Sequence, residues 1–218
     1  MAKKKTITEN DIISFYMEHV MENNENPKSV YTFAKANNFE ESKFYAHFGS
    51  FKAIETRVFK TFFDNTILIL QKSEEFQSYD ARNKLLSFYF TFFENLTANR
   101  SYVIYALHKH KNNMKGLSLL SELKKSFANF IDSLGIEMIA VEQEQIEKIQ
   151  TRALQQSAWL QLLLTMKFWM DDTSASFEKT DIFIEKSVNT SFDVLNVAPL
   201  KSMIDFGKFI FKEKIHTH

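Results

Sequence analysis

Apolar side chains recur along most of this chain with the spacing of an α-helix. Apolar residues at positions 12, 13, 16, 17 and 20 form one stripe, which predicts a first helix from Thr8 or Asn10 to about Glu22. Asn26 is predicted to cap a second helix that begins at Pro27 and runs to position 36. The same spacing predicts further helices at 40–48, 51–73, 80–98, 102–111, 117–134, 142–170 and 177–195, with Pro199 opening a last one. The pattern therefore predicts an all-α protein.

Composition narrows the class of protein. Four Gly and two Pro in 218 residues are too few for a phosphate-cradling glycine loop or for a β fold with many turns. The chain has no Cys, which excludes disulfides and thiolate metal sites and fits a reducing interior. The start of the sequence lacks the apolar run of a secretory signal, and polar residues interrupt the longest apolar stretch, 153–170. We therefore expect a cytoplasmic protein in which this stretch is a buried helix and not a membrane anchor.

The segment 29–54 has the pattern of two short helices around a turn. Val30, Phe33 and Ala34 have helical spacing, and the pair at 37–38 consists of Asn, which tolerates the left-handed conformation that a tight turn needs. A second apolar group at 44, 45 and 48 follows, and Gly49-Ser50 ends that helix. This arrangement predicts a helix-turn-helix, a motif that reads DNA.

The residues of this segment resemble the N-terminal pattern of the TetR family of transcriptional regulators. The resemblance covers about residues 8 to 60 and rests on Phe33-Ala34, Phe39, Phe44-Tyr45, His47-Phe48 and Ile54. It implies an all-α, TetR-like fold with a three-helix head at 1–50 that binds an operator in double-stranded DNA. A larger helical domain at 51–218, connected through the helix 51–73, would bind a small apolar or amphipathic ligand and form a homodimer.

The resemblance also implies which residues of the head face DNA. They are Ser42, Lys43, Tyr45 and His47 on the third helix, Lys52 after it, and the N-terminal arm Lys3, Lys4 and Lys5. Three residues depart from the family pattern, because Glu40 and Glu41 open the third helix and Phe51 stands where a basic residue is usual. Residues 1 to 64 contain nine basic and nine acidic side chains, so we expect locally focused DNA binding by a neutral head.

A second resemblance lies in the C-terminal half. The residues Asp172, Ser174, Phe177, Thr180 and Phe183 are similar to a stretch of the TetR-fold lipid-binding accessory protein of ubiquinone biosynthesis. It implies an alternative function, lipid binding without DNA recognition. In terms of local structure alone, Ser174 or Ser176 caps a helix whose apolar face follows. The segment 199–214 is amphipathic, which favours docking on its own domain and leaves membrane contact as the alternative.

Two apolar helices are the predicted walls of a ligand pocket. The candidate lining residues are Phe88, Tyr89, Phe92, Trp159, Leu163 and Met166, with Tyr105 as a polar group that can orient a ligand. Ordinary core packing is the alternative for each of them. No metal site, cofactor or catalytic residue is expected, since no His pair shares a helix face and no Ser-His-Asp set or carboxylate pair has a local signature. We therefore expect a binding protein and not an enzyme.

Overall fold

The computed structural model describes residues 7–109, 118–136 and 144–195. Within these ranges the secondary structure is helical, without a β-strand, so the all-α prediction is confirmed. The helices are α1 (Glu9–Asn23), α2 (Val30–Ala36), α3 (Glu41–Tyr45), α4 (Phe51–Gln71), α5 (Glu74–Ser78), α6 (Ala81–Ala98), α7 (Arg100–Lys109), α8 (Ser121–Ser133), α9 (Glu144–Asp171) and α10 (Glu178–Leu195), with a 3₁₀ turn at Ala175–Phe177 before α10. The predicted arm Lys3 to Lys5 and the predicted helix at 199–214 lie outside the described residues.

Side-chain caps explain where several helices begin. Thr8 caps α1 as predicted, in a capping box in which its hydroxyl accepts from the Asp11 amide and its own amide donates to the Asp11 carboxylate. The predicted start of α2 is wrong, because Ser29 caps that helix by accepting a 3.1 Å hydrogen bond from the Thr32 amide. Pro27 lies buried in the preceding loop, and the Asn26 side chain bonds elsewhere.

Residue contacts divide the chain into two compact units. The first contains residues up to Thr66 together with Phe93–Lys125, and the second contains Ile67–Phe92 together with the residues from Ser126 onward. The division falls inside α4, α6 and α8. The described part of the predicted head, residues 7–50, lies within the first unit.

The first unit has an aromatic core beneath its three N-terminal helices. Phe33 is 2% exposed, and Phe44, Phe48 and Ile54 are likewise buried, as the sequence predicts. The ring of Phe33 meets the rings of Phe39, Phe44 and Phe51 edge-on, with centroids 5.4 to 6.2 Å apart. Large rings in contact across three helices fix the angles between α2, α3 and the start of α4.

The second unit is built around a separate set of rings. Phe88 of α6 lies 5.4 Å from Phe92, 5.3 Å from Phe127 and 4.8 Å from Phe130 of α8, measured between ring centroids. Trp169 of α9 is fully buried in the same unit. Close contact between planar rings contributes packing energy beyond the burial of apolar area alone. The many Phe residues of the chain are thus used in two distinct cores.

Candidate functional site

The turn between α2 and α3 has the geometry of a Schellman motif. Asn38 adopts a left-handed conformation with φ of 56°, its amide donates to the Lys35 carbonyl, and the Phe39 amide donates to the Ala34 carbonyl. The rings of Phe33 and Phe39 make the apolar contact that accompanies this motif. The turn predicted from the Asn pair is therefore confirmed, and it sets the path of the chain from α2 into α3.

The buried face of α3 determines which of its residues reach solvent. Phe44 is fully buried against Phe33, Phe48 and Phe51, with its ring 5.3 Å from that of Phe51. Phe51 also stacks on Tyr16 at 5.7 Å. Position 51, where the resemblance leads us to expect a basic residue, thus carries an aromatic ring that packs in the core.

The predicted DNA-binding residues that the structure describes all reach solvent. Ser42, Lys43, Tyr45 and His47 are exposed on α3 and on the turn that follows it, and Lys52 is exposed in the first turn of α4. Tyr45 is 55% exposed although its ring also contacts Phe44. Residues three or four apart lie side by side on a helix, so the α3 residues form one polar flank.

Ion pairs divide the charges of the head into two groups. Arg57 of α4 lies 3.4 Å from both Glu9 and Glu122, and Lys60 pairs with Asp64. Lys43 and Lys52, by contrast, make no ion pair with any residue that the structure describes. The neutral total of the head therefore includes cations that are already paired, while the cations on and after α3 are exposed to solvent.

Two exposed residues of α2 were not among the predicted contacts. Tyr31 is 59% exposed, and the Lys35 ammonium lies 5.9 Å from the centre of its ring. Both residues lie on the polar side of α2, opposite Phe33 and Ala34. The signal was available in the sequence, because an aromatic and a basic residue four apart lie on one helix face. The contacts implied by the resemblance include no residue of α2.

The predicted pocket residues fall into different places. Phe88, Tyr89, Phe92 and Met166 are buried in the core of the second unit, whereas Leu163 is half-buried. Trp159 is also buried there and lies 6.5 Å from Phe127 between ring centroids. Burial raises the pKa of Tyr89 above its ordinary value. Its neutral phenol is therefore one of the buried polar groups of this unit, together with Thr165 and Thr180.

Tyr105 does not lie with the other predicted pocket residues. It belongs to the first unit, where its hydroxyl donates a 3.1 Å hydrogen bond to the Asn24 carbonyl. The described residues thus group six of the seven candidates in one unit and leave Tyr105 in the other.

The second motif, from Asp172 to Thr180, forms the turn that begins α10. The Asp172 carboxylate accepts hydrogen bonds from the amides and hydroxyls of Ser174 and Thr180, at 2.7 to 2.9 Å. Burial works to raise the pKa of Asp172, but these four donors outweigh it and hold the pKa well below its usual range. The Ser174 hydroxyl also accepts from the Lys179 amide, which agrees with the predicted cap. The spacing of this motif therefore has a local structural explanation.

An exposed apolar strip runs along the second unit. Leu160, Leu164 and Phe168 recur every fourth residue on α9, and Ile182 of α10 is exposed with them. The rings of Phe168 and Phe183 stack at 4.5 Å and form part of an open groove of about 570 Å³. Between the same helices, Gln161 bonds to the hydroxyls of Ser187 and Ser191. Large apolar side chains in a regular exposed row are typical of a protein interface.

Residues 84–210, more than half of the chain, match the family described as tetracyclin repressor-like, C-terminal domain. The chain belongs to the TetR family. The match begins within α6 and includes the helices that follow it, so the predicted membership is confirmed. No curated protein matches the chain.

The match to the TetR family begins after the predicted head and does not include α2 and α3. In the described residues no group of three His, Cys, Asp or Glu side chains is placed to hold a metal ion. No helix within those residues combines the length and the apolar character needed to cross a bilayer.

Proposed function

We propose that this TetR-family chain is a DNA-binding transcriptional regulator controlled by a small apolar or amphipathic ligand. The observation that carries the proposal is the geometry of α2, α3 and the turn between them. The aromatic core and the Schellman turn direct the polar flank of α3 toward solvent. A recognition helix needs this arrangement, because its side chains must reach base edges while its opposite face remains packed.

The exposed residues of the head have side chains that can bind the phosphates and base edges of DNA. Lys43 can bind a phosphate or a guanine edge, whereas Tyr45 and His47 can bond to the backbone. Exposed Lys35 on α2 and Lys52 on α4 add further positive charge to the head. Glu40 and Glu41 oppose phosphate binding at the start of this helix, so we expect affinity to depend on a few contacts.

A homodimer would place two recognition helices on one duplex. The exposed strip Leu160, Leu164 and Phe168 supports this part of the proposal, because burying it against the same strip of a second copy would remove apolar area from water. Two heads related by a two-fold axis would bind half-sites about 34 Å apart, one helical turn of DNA.

The apolar core of the second unit supports a ligand of matching chemistry. Rings of α6 and α9 supply apolar surface, and Tyr89 supplies a neutral hydroxyl that can orient a polar end. A ligand that binds better to a state whose heads mismatch the half-site spacing would release the protein from DNA. The shift can be no larger than the difference in affinity between the two states. This role requires binding and no chemical step, so we propose that the protein is not an enzyme.

Titration of labelled DNA from the region upstream of the protein's own gene tests the proposal. We expect sequence-selective binding that is lost when Lys43 and Tyr45 are both replaced by Ala and kept when exposed Lys72 is replaced instead. Absence of selective binding by the unaltered protein at micromolar concentration would contradict the proposal.

Lipid binding without DNA recognition is the alternative, but the structure accounts for the C-terminal motif and for the ring at position 51 without a lipid. Asp172 and its partners form a helix cap, and Phe51 belongs to the aromatic core. Native mass spectrometry distinguishes the two functions. An isoprenoid or acyl lipid retained by a protein that binds no DNA would favour the alternative.

A further inference from the structure

Polar side chains tie the end of α7 to the head within the first unit. The Lys109 ammonium donates to the Asn26 side-chain oxygen at 2.8 Å and to the Glu55 carboxylate at 3.1 Å, while the Tyr105 hydroxyl donates to the Asn24 carbonyl. Asn24 and Asn26 belong to the loop between α1 and α2, and Glu55 belongs to α4. We call these five residues the α7 latch.

Glu55 is the acceptor at the centre of the latch. Its Oε1 atom is 2.9 Å from the Tyr16 hydroxyl, 3.2 Å from the Asn26 amide nitrogen and 3.1 Å from the Lys109 ammonium. Burial works to raise the pKa of Glu55, but the bonds from Tyr16, Lys109 and Asn26 outweigh it and lower the pKa. The carboxylate is thus held in its charged form by donors from three parts of the chain.

The two faces of α7 respond differently to a displacement. Its buried face carries Tyr102, Val103 and Ala106, whose apolar contacts are non-directional and change gradually with position. The latch depends on donor and acceptor distances near 3 Å, and a shift of one helical residue moves a side chain by about 1.5 Å, enough to break such bonds. A small shift of α7 would therefore open the latch before it exposes the apolar face.

We propose that Lys109 is a positioning residue that holds the α1–α2 loop and α4 in the arrangement that binds DNA. This inference rests on the proposed function. Loss of the Lys109 contacts removes one of three hydrogen bonds of the Asn26 side chain and leaves those with Tyr16 and Glu55. The chain beyond Asn26 leads directly into the predicted helix-turn-helix, so a weaker hold on this loop reaches α2. Displacement of α7 then changes the position of α2 and α3 without altering any residue that contacts DNA.

The partial exposure of Glu55 and Lys109 is compatible with a contact that can open and close. The Glu55 side chain is 10% exposed and the Lys109 side chain is 32% exposed, so water can solvate the ammonium when it leaves. A buried ion pair is no more stabilising than well-packed apolar residues of similar size, although it requires one defined geometry. The latch therefore selects one arrangement of the head more than it adds stability.

Lys109→Met tests the inference because it keeps the aliphatic length and removes the charge. Hydrogen exchange of the free protein is measured at the α2 amides, with the α10 amides as an internal reference. We expect α2 exchange to rise at least tenfold with α10 unchanged, and DNA affinity to fall at least fivefold. Lys60→Met is the matched control, because Lys60 also sits in an ion pair of the same unit and is similarly exposed. We expect less than a twofold change there. Lys109→Arg, which keeps the cation, should restore both measurements to within threefold of the unaltered protein.

Two results would overturn the inference. One is α2 exchange within twofold of the unaltered protein in Lys109→Met. The other is an equal rise in α2 and α10, since that would indicate a general loss of stability. If α2 exchange rises selectively while the unaltered protein binds no DNA, Lys109 still positions the head and the proposed function alone fails. If the unaltered protein binds DNA and Lys109→Met binds equally well, the inference alone fails.

Discussion

Removing the charge of Lys43 should reduce the salt dependence of DNA binding by a calculable amount. Lys43 is exposed on α3 and makes no ion pair with the residues that the structure describes. Each cation that neutralises a phosphate contributes about 0.9 to the slope of log affinity against log salt. A dimer carries two copies, so Lys43→Ala should lower this slope by about 1.8. Between 50 and 200 mM salt the variant should lose about twelvefold less affinity than the unaltered protein.

Fluorescence anisotropy with one labelled duplex at several salt concentrations measures both slopes. Lys72→Ala is the control, because Lys72 follows the opposite end of α4, about 30 Å along the helix from Lys52. Tyr45→Phe provides a second comparison, since it removes a neutral hydroxyl. It should weaken binding by about 1 kcal/mol for each of the two copies in a dimer and leave the slope unchanged. A slope that Lys43→Ala leaves unchanged would refute the assignment of Lys43 to a phosphate.

Three further predictions concern the core, the dimer and acid stability. Phe33→Ala should lower the free energy of unfolding by about 3 to 5 kcal/mol in chemical denaturation. Tyr31→Ala, on the exposed side of the same helix, should change it by less than about 0.5 kcal/mol. Leu164→Glu should convert the proposed dimer to a monomer in analytical ultracentrifugation, whereas Leu68→Glu, at an equally exposed position, should not. The pKa of Glu55 is lowered in the folded protein. Its contribution to the free energy of unfolding is therefore present above its unfolded pKa and is lost as pH falls through the folded value. We expect the free energy of unfolding of Glu55→Gln to fall less steeply with acid than that of the unaltered protein.

Local signals predicted the frame of the head. The cap at Thr8, the left-handed turn at Asn38 and the burial of Phe33 and Phe44 each depend on residues a few positions apart, which a sequence pattern contains. The exposed flank of α3 follows from the same periodicity, because a helix that buries one face presents the other. Such features can be predicted without knowledge of the tertiary fold.

Distant partners determined the features that the sequence did not predict. Asn26 before a proline has the local pattern of a helix cap, yet its side chain bonds to Lys109, which is 83 positions away. Phe51 was interpreted as a departure from the DNA-binding pattern, but its place in the core depends on Tyr16 and Phe44. Tertiary contacts override a local preference when they satisfy the same polar group or bury the same ring.

The neutral net charge of the head is compatible with DNA binding, because a net charge counts paired and unpaired side chains alike. Arg57 lies between Glu9 and Glu122. An acidic partner close to a cation weakens the attraction of that cation for a phosphate. Exposed Lys43 and Lys52 have no such partner among the described residues. Screening limits the reach of surface charges to about 8 to 10 Å at physiological salt, so a phosphate near α3 responds to its neighbours more than to the total charge. Adding acidic residues remote from α3 should therefore weaken DNA binding much less than one acidic substitution at Lys43 or Lys52.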